Sequence, residues 1–185
     1  AGILSVSSLY SQCTDLFFSE YIEGSGFNKA VEIYNPTSGA IDLSDYKIEL
    51  YGNGSATSTA SFTLTGTLNA GDVFVVAHPS AADAGLTAQV DVTNGVINFN
   101  GDDAFALVNM SSGSDVLIDI IGEIGSDPGS EWTVGTGSTK DNTLVRKAAV
   151  NQGQTNWATG ATEWDVYPQN EFNYIGSHTM TPCTP

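Results

Sequence analysis

The sequence is poor in positive charge. Only five of its 185 residues are Lys or Arg, against 21 Asp or Glu, and the formal net charge is −16. A protein that binds nucleic acid through its phosphates needs clustered Lys and Arg to neutralise them. The composition therefore predicts no direct binding of nucleic acid. Any hidden basic face would lie around Arg146 and Lys147, where two cations are adjacent.

Long apolar runs are also missing. A helix that spans a bilayer needs about 20 consecutive apolar residues, and no stretch of the chain approaches that length. We expect no insertion into a membrane. The first residues, AGILSVSSLYSQC, have no initiator Met and no basic n-region, which is typical of a processed or shortened chain.

Cysteine is scarce, with only Cys13 and Cys183 near opposite ends of the chain. An isolated pair that brackets nearly all of the sequence favours one disulfide between the termini, formed in an oxidising compartment. Two unrelated free thiols are the alternative. Metal ligation by this pair is disfavoured, because no CxxC spacing or neighbouring His completes a site. We expect a secreted, extracellular protein.

Turn-forming and strand-forming residues make up much of the sequence, which has 20 glycines and 10% aromatic residues. Short runs of alternating or continuous apolar character, separated by Gly, Asn and Pro, predict strands. The predicted strands cover 16–22, 30–35, 46–52, 60–66, 68–78, 115–124 and 143–147, with a hairpin over 95–109 and one short helix over 79–86. This pattern predicts an all-β immunoglobulin-like β-sandwich with a long irregular C-terminal segment.

One ordered set of motifs resembles a known family. The run SEYIEGSGFNKAVEIYNPTSGAIDLSDYKIELY resembles the opening of a lamin tail domain, an immunoglobulin-like sandwich, and LNAGDVFVVAH and FNGDDAFALVN resemble two of its later hairpins. The closing segments NTLVRKAAV and EWDVYPQNEFNYIGSH are similar to the bacterial version of secreted proteins. The resemblance implies an N-terminal extension (1–14), a sandwich domain (15–178) and a C-terminal tail (179–185) that carries Cys183.

The bacterial domains that this chain resembles often lie beside a nuclease or phosphatase of the endonuclease/exonuclease/phosphatase class. The resemblance thus implies a non-catalytic interaction or targeting module, an accessory domain of such an extracellular enzyme. We expect a monomer whose partner is an unknown protein, glycan or cell-surface component. The alternative is a cell-surface structural or adhesive module that uses Ca²⁺ or glycan contacts.

The residues themselves argue against an enzyme. The chain lacks the Asn, Glu, Asp and His constellation of two-metal phosphodiester chemistry and has no GxSxG motif. Glu20, Glu23 and Glu32 lie close together in sequence, but an acid/base pair needs two carboxylates that converge on one cleft. The spacing does not demand this, and we interpret these glutamates as structural.

Asp102 and Asp103 are the best metal candidates, because hard oxygen ligands at a turn suit Ca²⁺. Ordinary turn chemistry explains Asn-Gly-Asp-Asp equally well, and no other cofactor is predicted. Four further aspartates would contribute only if the fold brought them close: Asp83, Asp91, Asp115 and Asp119.

Three tryptophans, Trp132, Trp157 and Trp164, fall in the last third of the chain. Exposed aromatic platforms bind sugars, and three Trp in loop-like sequence would supply one. Core filling is the commoner use of side chains this large. Both interpretations are compatible with the sequence.

Overall fold

The computed structural model describes residues 13–183, and most of its regular structure is β-strand. Residues 1–12 of the predicted N-terminal extension and residues 184–185 of the predicted tail lie outside the described residues. The strands are β1 Phe17–Glu23, β2 Lys29–Tyr34, β3 Ile41–Asp42, β4 Tyr46–Tyr51, β5 Ala60–Thr63, β6 Thr67–Leu68, β7 Val73–Ala77, β8 Val92–Thr93, β9 Ala104–Asn109, β10 Val116–Ile121, β11 Thr133–Val134, β12 Gly137–Ser138, β13 Asn142–Arg146 and β14 Trp164–Pro168.

Two sheets form the body of the molecule. The larger sheet has six strands in the order β14-β13-β1-β2-β7-β8, and the smaller has four in the order β10-β9-β4-β5. Neighbouring strands are antiparallel except β7 and β8, which run parallel. The remaining strands form two small two-stranded sheets, β3-β6 and β11-β12. The predicted all-β, immunoglobulin-like sandwich is confirmed.

The main core lies between the two sheets. Phe18 of β1 meets Phe105 of β9 edge to face, with ring centroids 6.4 Å apart. Phe99 enters between the sheets and stacks on Tyr21 at 4.4 Å. Aromatic contacts of this kind add to the burial of apolar area that drives the packing.

The hairpin predicted over 95–109 is wrong in its first half. Only β9 is a strand, and residues 95–103 form turns and irregular backbone. Asn94 explains the difference, because its side chain accepts a hydrogen bond from the Val96 N–H at 2.9 Å and starts a local turn. The segment still buries Val96, Ile97 and Phe99, so its apolar residues fill the core without pairing in a sheet.

The predicted helix is shorter and begins later than the sequence indicates. Helix α1 is the single turn Ala84–Thr87, and Asp83 caps it by accepting a hydrogen bond from the Gly85 N–H at 2.8 Å. A second single turn, α2, spans Trp157–Gly160. Within residues 13–183, neither helix has the length or apolar character to cross a membrane.

The C-terminal part of the chain is more ordered than predicted, because β14 extends the larger sheet beyond β13. The residues after it, 169–183, form a segment that we call the strap. Ile175 and Phe172 of the strap pack with Ile22, Ala30 and Leu86 over the outer face of the larger sheet. The Cys13–Cys183 disulfide, with Cα atoms 6.0 Å apart, fixes the end of the strap.

Candidate functional site

The outer face of the larger sheet carries two buried carboxyl groups. Glu20 of β1 and Glu32 of β2 are direct cross-strand partners, beside an irregularity between Phe18 and Glu20. Each is 1% exposed. The structure therefore brings together two of the three opening glutamates, which their spacing did not require.

The strap closes over this pair. Glu32 accepts a hydrogen bond from the Gly176 N–H at 2.7 Å and another from the Ser19 hydroxyl at 2.6 Å. The Oε1 atom of Glu20 has no hydrogen-bond partner among the described residues. A substrate would have to displace the strap to reach either carboxyl.

Burial changes the acidity of both groups. Desolvation, followed by the charges of Glu32 and Glu171, raises the pKa of Glu20 to about 9. Desolvation also raises the pKa of Glu32, to about 7, although the hydrogen bonds from Ser19 and Gly176 oppose the shift. Glu20 consequently carries a proton at neutral pH, which relieves the repulsion that two opposed carboxylates would suffer.

Glu23, the third of the opening glutamates, has a different role. It forms a buried ion pair with Lys29 and accepts a hydrogen bond from the Asp141 N–H. The pair joins the ends of β1 and β2 to the turn before β13. Glu23 is thus part of the packing at one end of the larger sheet.

A second buried charged centre links the two sheets. Arg146 of β13 donates to Asp119 of β10 at 2.9 Å and lies 3.3 Å from Glu163. Asp119 also accepts from the N–H groups of Phe18 and Gln154, each at 2.8 Å. Because Arg146 is 1% exposed, it cannot form a basic face with Lys147. This burial was not predictable from the local sequence, in which Arg146 and Lys147 are adjacent cations.

The predicted calcium ligands belong to a hydrogen-bonded turn. Asp103 is buried and accepts a hydrogen bond from the Asn53 N–H at 2.9 Å. The side-chain amide of Asn100, turned with its nitrogen toward them, donates to Asp103 at 3.1 Å and to Asp102. Across residues 13–183, no three His, Cys, Asp or Glu side chains come together as a metal site. Calcium binding by Asp102 and Asp103 stays a prediction.

The other four aspartates are dispersed over the fold. Asp83 caps α1, and Asp91 accepts a hydrogen bond from the Val75 N–H. Asp115 pairs with Lys47, whereas Asp119 belongs to the Arg146 centre. None of these four completes a ligand set with Asp102 and Asp103 in the described part of the chain.

Both histidines lie against aromatic rings. His78 stacks on Phe27 with ring centroids 4.4 Å apart, and its Nδ1 atom accepts a hydrogen bond from the Ser80 N–H. His178, in the strap, meets Phe17 and Tyr34 edge to face. Burial and then the charge of Arg146 lower the pKa of His178 to about 4, so its ring is neutral at pH 7.

The tryptophans fill the core. Trp132, Trp157 and Trp164 are 8%, 7% and 3% exposed. Trp132 and Trp157 pack edge to face at 6.4 Å, and Trp164 lies under the Arg146 guanidinium at 4.5 Å. An exposed sugar-binding platform of these residues is excluded.

Strand β10 exposes two adjacent large apolar side chains. Val116 and Leu117 are 46% and 37% exposed. A groove of about 300 Å³ runs beside Leu117 and continues onto α2. Its lining residues are Leu117, Ile120, Glu123, Ile124, Thr155, Asn156, Trp157 and Ala158. We call this set the β10 groove.

Comparison with known families agrees with the sandwich architecture. The Lamin Tail Domain family matches residues 10–125, which is more than half of the chain. The chain belongs to the lamin tail domain family. Comparison with curated proteins found no match to this sequence. The lamin tail domain is an immunoglobulin-like β-sandwich that serves as an interaction domain.

In this lamin tail domain the matched residues end just after β10. Strands β13 and β14 and the strap come later in the chain, yet β13 pairs with β1 in the larger sheet. The β10 groove combines both parts, because Leu117 and Ile120 come from the matched region and Trp157 from beyond it. The only feature of the sequence that indicates the β10 groove is the apolar run 116–118. This run lacks the alternation with polar residues that is typical of a half-buried strand.

Proposed function

We propose that this lamin tail domain is a non-catalytic interaction and targeting module of a secreted bacterial protein. The parent would be an extracellular nuclease or phosphatase, for which the domain is an accessory part. The Cys13–Cys183 disulfide supports an oxidising location, because such bonds are rare in reducing compartments. The domain acts as a monomer toward its partner.

The observation that carries the proposal is the sealing of Glu20 and Glu32. Their separated pKa values, about 9 and about 7, are the property expected of an acid/base pair. Catalysis also needs a position where a substrate can meet both groups. The strap occupies that position, and each side chain is 1% exposed. The pair therefore supports a structural role.

Turnover assays test this proposal directly. The purified chain is incubated with plasmid DNA, RNA and nitrophenyl phosphate mono- and diesters, with Mg²⁺, Mn²⁺ or Ca²⁺. We expect no hydrolysis above that of buffer. Turnover that survives repurification and disappears in Glu20→Gln would overturn the proposal.

Calcium addition separates the proposal from the adhesive alternative. An interaction module that does not use calcium melts at the same temperature in millimolar CaCl₂ and in EDTA. A rise in melting temperature with CaCl₂ that is lost in Asp102→Asn would favour the adhesive module instead. Asp102→Asn is preferred to a change at Asp103, because Asp103 is buried and supports the Asn53 backbone.

A further inference from the structure

Strand β10 ends the smaller sheet. It pairs with β9 on one side, and no strand within residues 13–183 pairs with it on the other. The second half of that open side is partly covered, since the Ile120 N–H donates to the Gln154 carbonyl at 3.1 Å and Gly153 lies against the Ile118 carbonyl. In the first half, Val116 and Leu117 are exposed. Edge strands of this kind can accept a further strand.

The side chains at this edge are apolar on both faces. Val116 and Leu117 are adjacent in a strand, so their side chains point to opposite sides of the sheet. Both are among the most exposed large hydrophobic residues of the described chain. Proteins usually protect an exposed edge with Lys, Pro or an inward charge. Strand β10 has such an inward charge, Asp119, and an irregularity in its pairing with β9 after Leu117. Both protect its second half, whereas its first half carries two exposed apolar residues.

The β10 groove provides a pocket next to the edge. Leu117, Ile120 and Trp157 form apolar walls around a volume of about 300 Å³. This volume is sufficient for one large side chain of a bound segment. A strand added beside β10 would direct every second side chain toward this face of the sheet.

The charges around the groove are negative. Asp115 has a side chain that is 62% exposed, and Glu123 is exposed at the groove itself. The nearby Lys47 is already held by Glu49 at 2.8 Å and by Asp115 at 2.7 Å. The surface therefore suits a cationic ligand. A second copy of the chain would set one charge of −16 against another and is disfavoured.

From these observations we propose that the edge of β10 and the β10 groove bind an extended, basic segment of a partner protein. The segment adds to the smaller sheet as a strand through backbone hydrogen bonds. One of its apolar side chains fills the groove, and its Lys or Arg side chains lie near Asp115 and Glu123. This inference rests on the proposed interaction function and names the surface and the chemistry of the partner.

The probe is an array of hexapeptides in which Lys alternates with Val, Leu, Ile or Phe. A matched array replaces every Lys with Glu. We expect the intact chain to bind members of the basic array at least about tenfold more tightly than their acidic counterparts, with affinity that falls as salt rises. Amide hydrogen exchange of the complex should slow at residues 115–118.

Two variants with the same change of charge locate the binding. Leu117→Lys puts a cation at the edge and should weaken binding at least about tenfold. Phe27→Lys, at another exposed apolar residue outside the groove, should change it less than about twofold. Thermal melts show whether each variant is folded. If Leu117→Lys is unfolded, Val116→Lys replaces it and the same weakening is expected.

Several results would overturn the inference. They are a basic array that does not bind, an acidic array that binds equally well, and binding that is unchanged by Leu117→Lys. Dimerisation in sedimentation velocity that Leu117→Lys abolishes would assign the edge to a second copy instead. These results leave the proposed function intact, because that is tested separately by turnover lost in Glu20→Gln and by calcium-dependent melting lost in Asp102→Asn.

Discussion

Glu20 retains its proton well above the pH at which an exposed glutamate ionises. Its folded pKa is about 9, against 4.5 for an unperturbed group. Because the folded pKa is raised, the stability that protonation contributes is complete below the unfolded pKa and is lost as pH rises toward the folded pKa. The loss is about 1.4 kcal/mol per pH unit for one proton. The domain should therefore be less stable at alkaline pH than at mildly acidic pH.

Replacing Glu20 with Gln should remove much of this dependence. Gln cannot ionise, so Glu20→Gln should resemble the wild type near pH 5 and exceed its unfolding free energy by roughly 2 kcal/mol or more near pH 8. Urea denaturation across this pH range measures the difference. Glu131→Gln, a change of the same charge at an exposed position, is the control and should run parallel to the wild type. Parallel curves for Glu20→Gln as well would contradict the raised pKa.

The buried Arg146 side chain contributes to the stability of the fold through several contacts. Its guanidinium contacts Asp119 and Glu163 and lies over the rings of Phe17 and Trp164. Removal of one partner from a buried ion pair leaves an uncompensated charge and costs about 3–5 kcal/mol. Arg146→Met should be destabilised by about this amount.

The adjacent Lys147 provides the matched comparison. It is exposed, and its ammonium donates to the Thr162 carbonyl at 2.7 Å. Lys147→Met loses the same charge but should cost less than about 1 kcal/mol. Urea denaturation of both variants gives the two values. If Arg146→Met lost as little unfolding free energy as Lys147→Met, the buried centre would not stabilise the fold.

At the scale of the elements, one covalent bond fixes the end of the strap. The Cys13–Cys183 disulfide closes a loop across 170 positions, for which the chain-entropy treatment gives about 5 kcal/mol. Reduction should lower the melting temperature without abolishing the fold, since the core between the sheets does not include the strap. Hydrogen exchange should accelerate first at residues 169–183.

Calorimetry with and without a reducing agent tests this expectation. A double variant, Cys13→Ser with Cys183→Ser, distinguishes the loss of the disulfide from other effects of the reducing agent. The variant should melt like the reduced wild type. Thiol titration of the denatured, unreduced protein should find no free thiol. Two reactive thiols per chain would show that the bond does not form.

Strands with strong apolar patterns were predictable, and long-range relations were not. The sequence of β1, β2 and β4 indicates strands because apolar residues alternate or run continuously between turns. Strand β14 was missed, since Asp165 and Pro168 interrupt its pattern and only the neighbouring β13 makes it part of a sheet. The local sequence is thus sufficient to predict β1, β2 and β4, but the pairing that makes β14 a strand depends on residues far away in the chain.

The same limit applies to the sites. The sequence placed Glu20 and Glu32 on two strands but did not reveal that they are opposed, because the register passes through an irregularity after Phe18. It also did not show that the strap covers them, since Gly176 is 144 positions from Glu32. The cysteine pair was predictable, because Cys13 and Cys183 had no other candidate partners in the sequence.

At the scale of the whole molecule, the net charge of −16 dominates encounters with other polyanions. Duplex DNA should bind with a dissociation constant weaker than about 1 μM at physiological salt, because long-range repulsion opposes approach to the phosphates. A mobility-shift titration measures this. Submicromolar binding that Lys140→Glu or Lys147→Glu removes would reveal a basic face on the folded chain.

The pairing of β1 with β13 also governs when the chain can fold during its synthesis. Strand β1, the first in the described part of the chain, has one partner in β2 and the other in β13, which begins at Asn142. The larger sheet is thus incomplete until β13 and β14 have left the ribosome. A nascent chain that stops near residue 125 carries β1 with an open edge, which is a template for aggregation. Translation through β14, which ends at Pro168, is therefore a condition for a complete larger sheet.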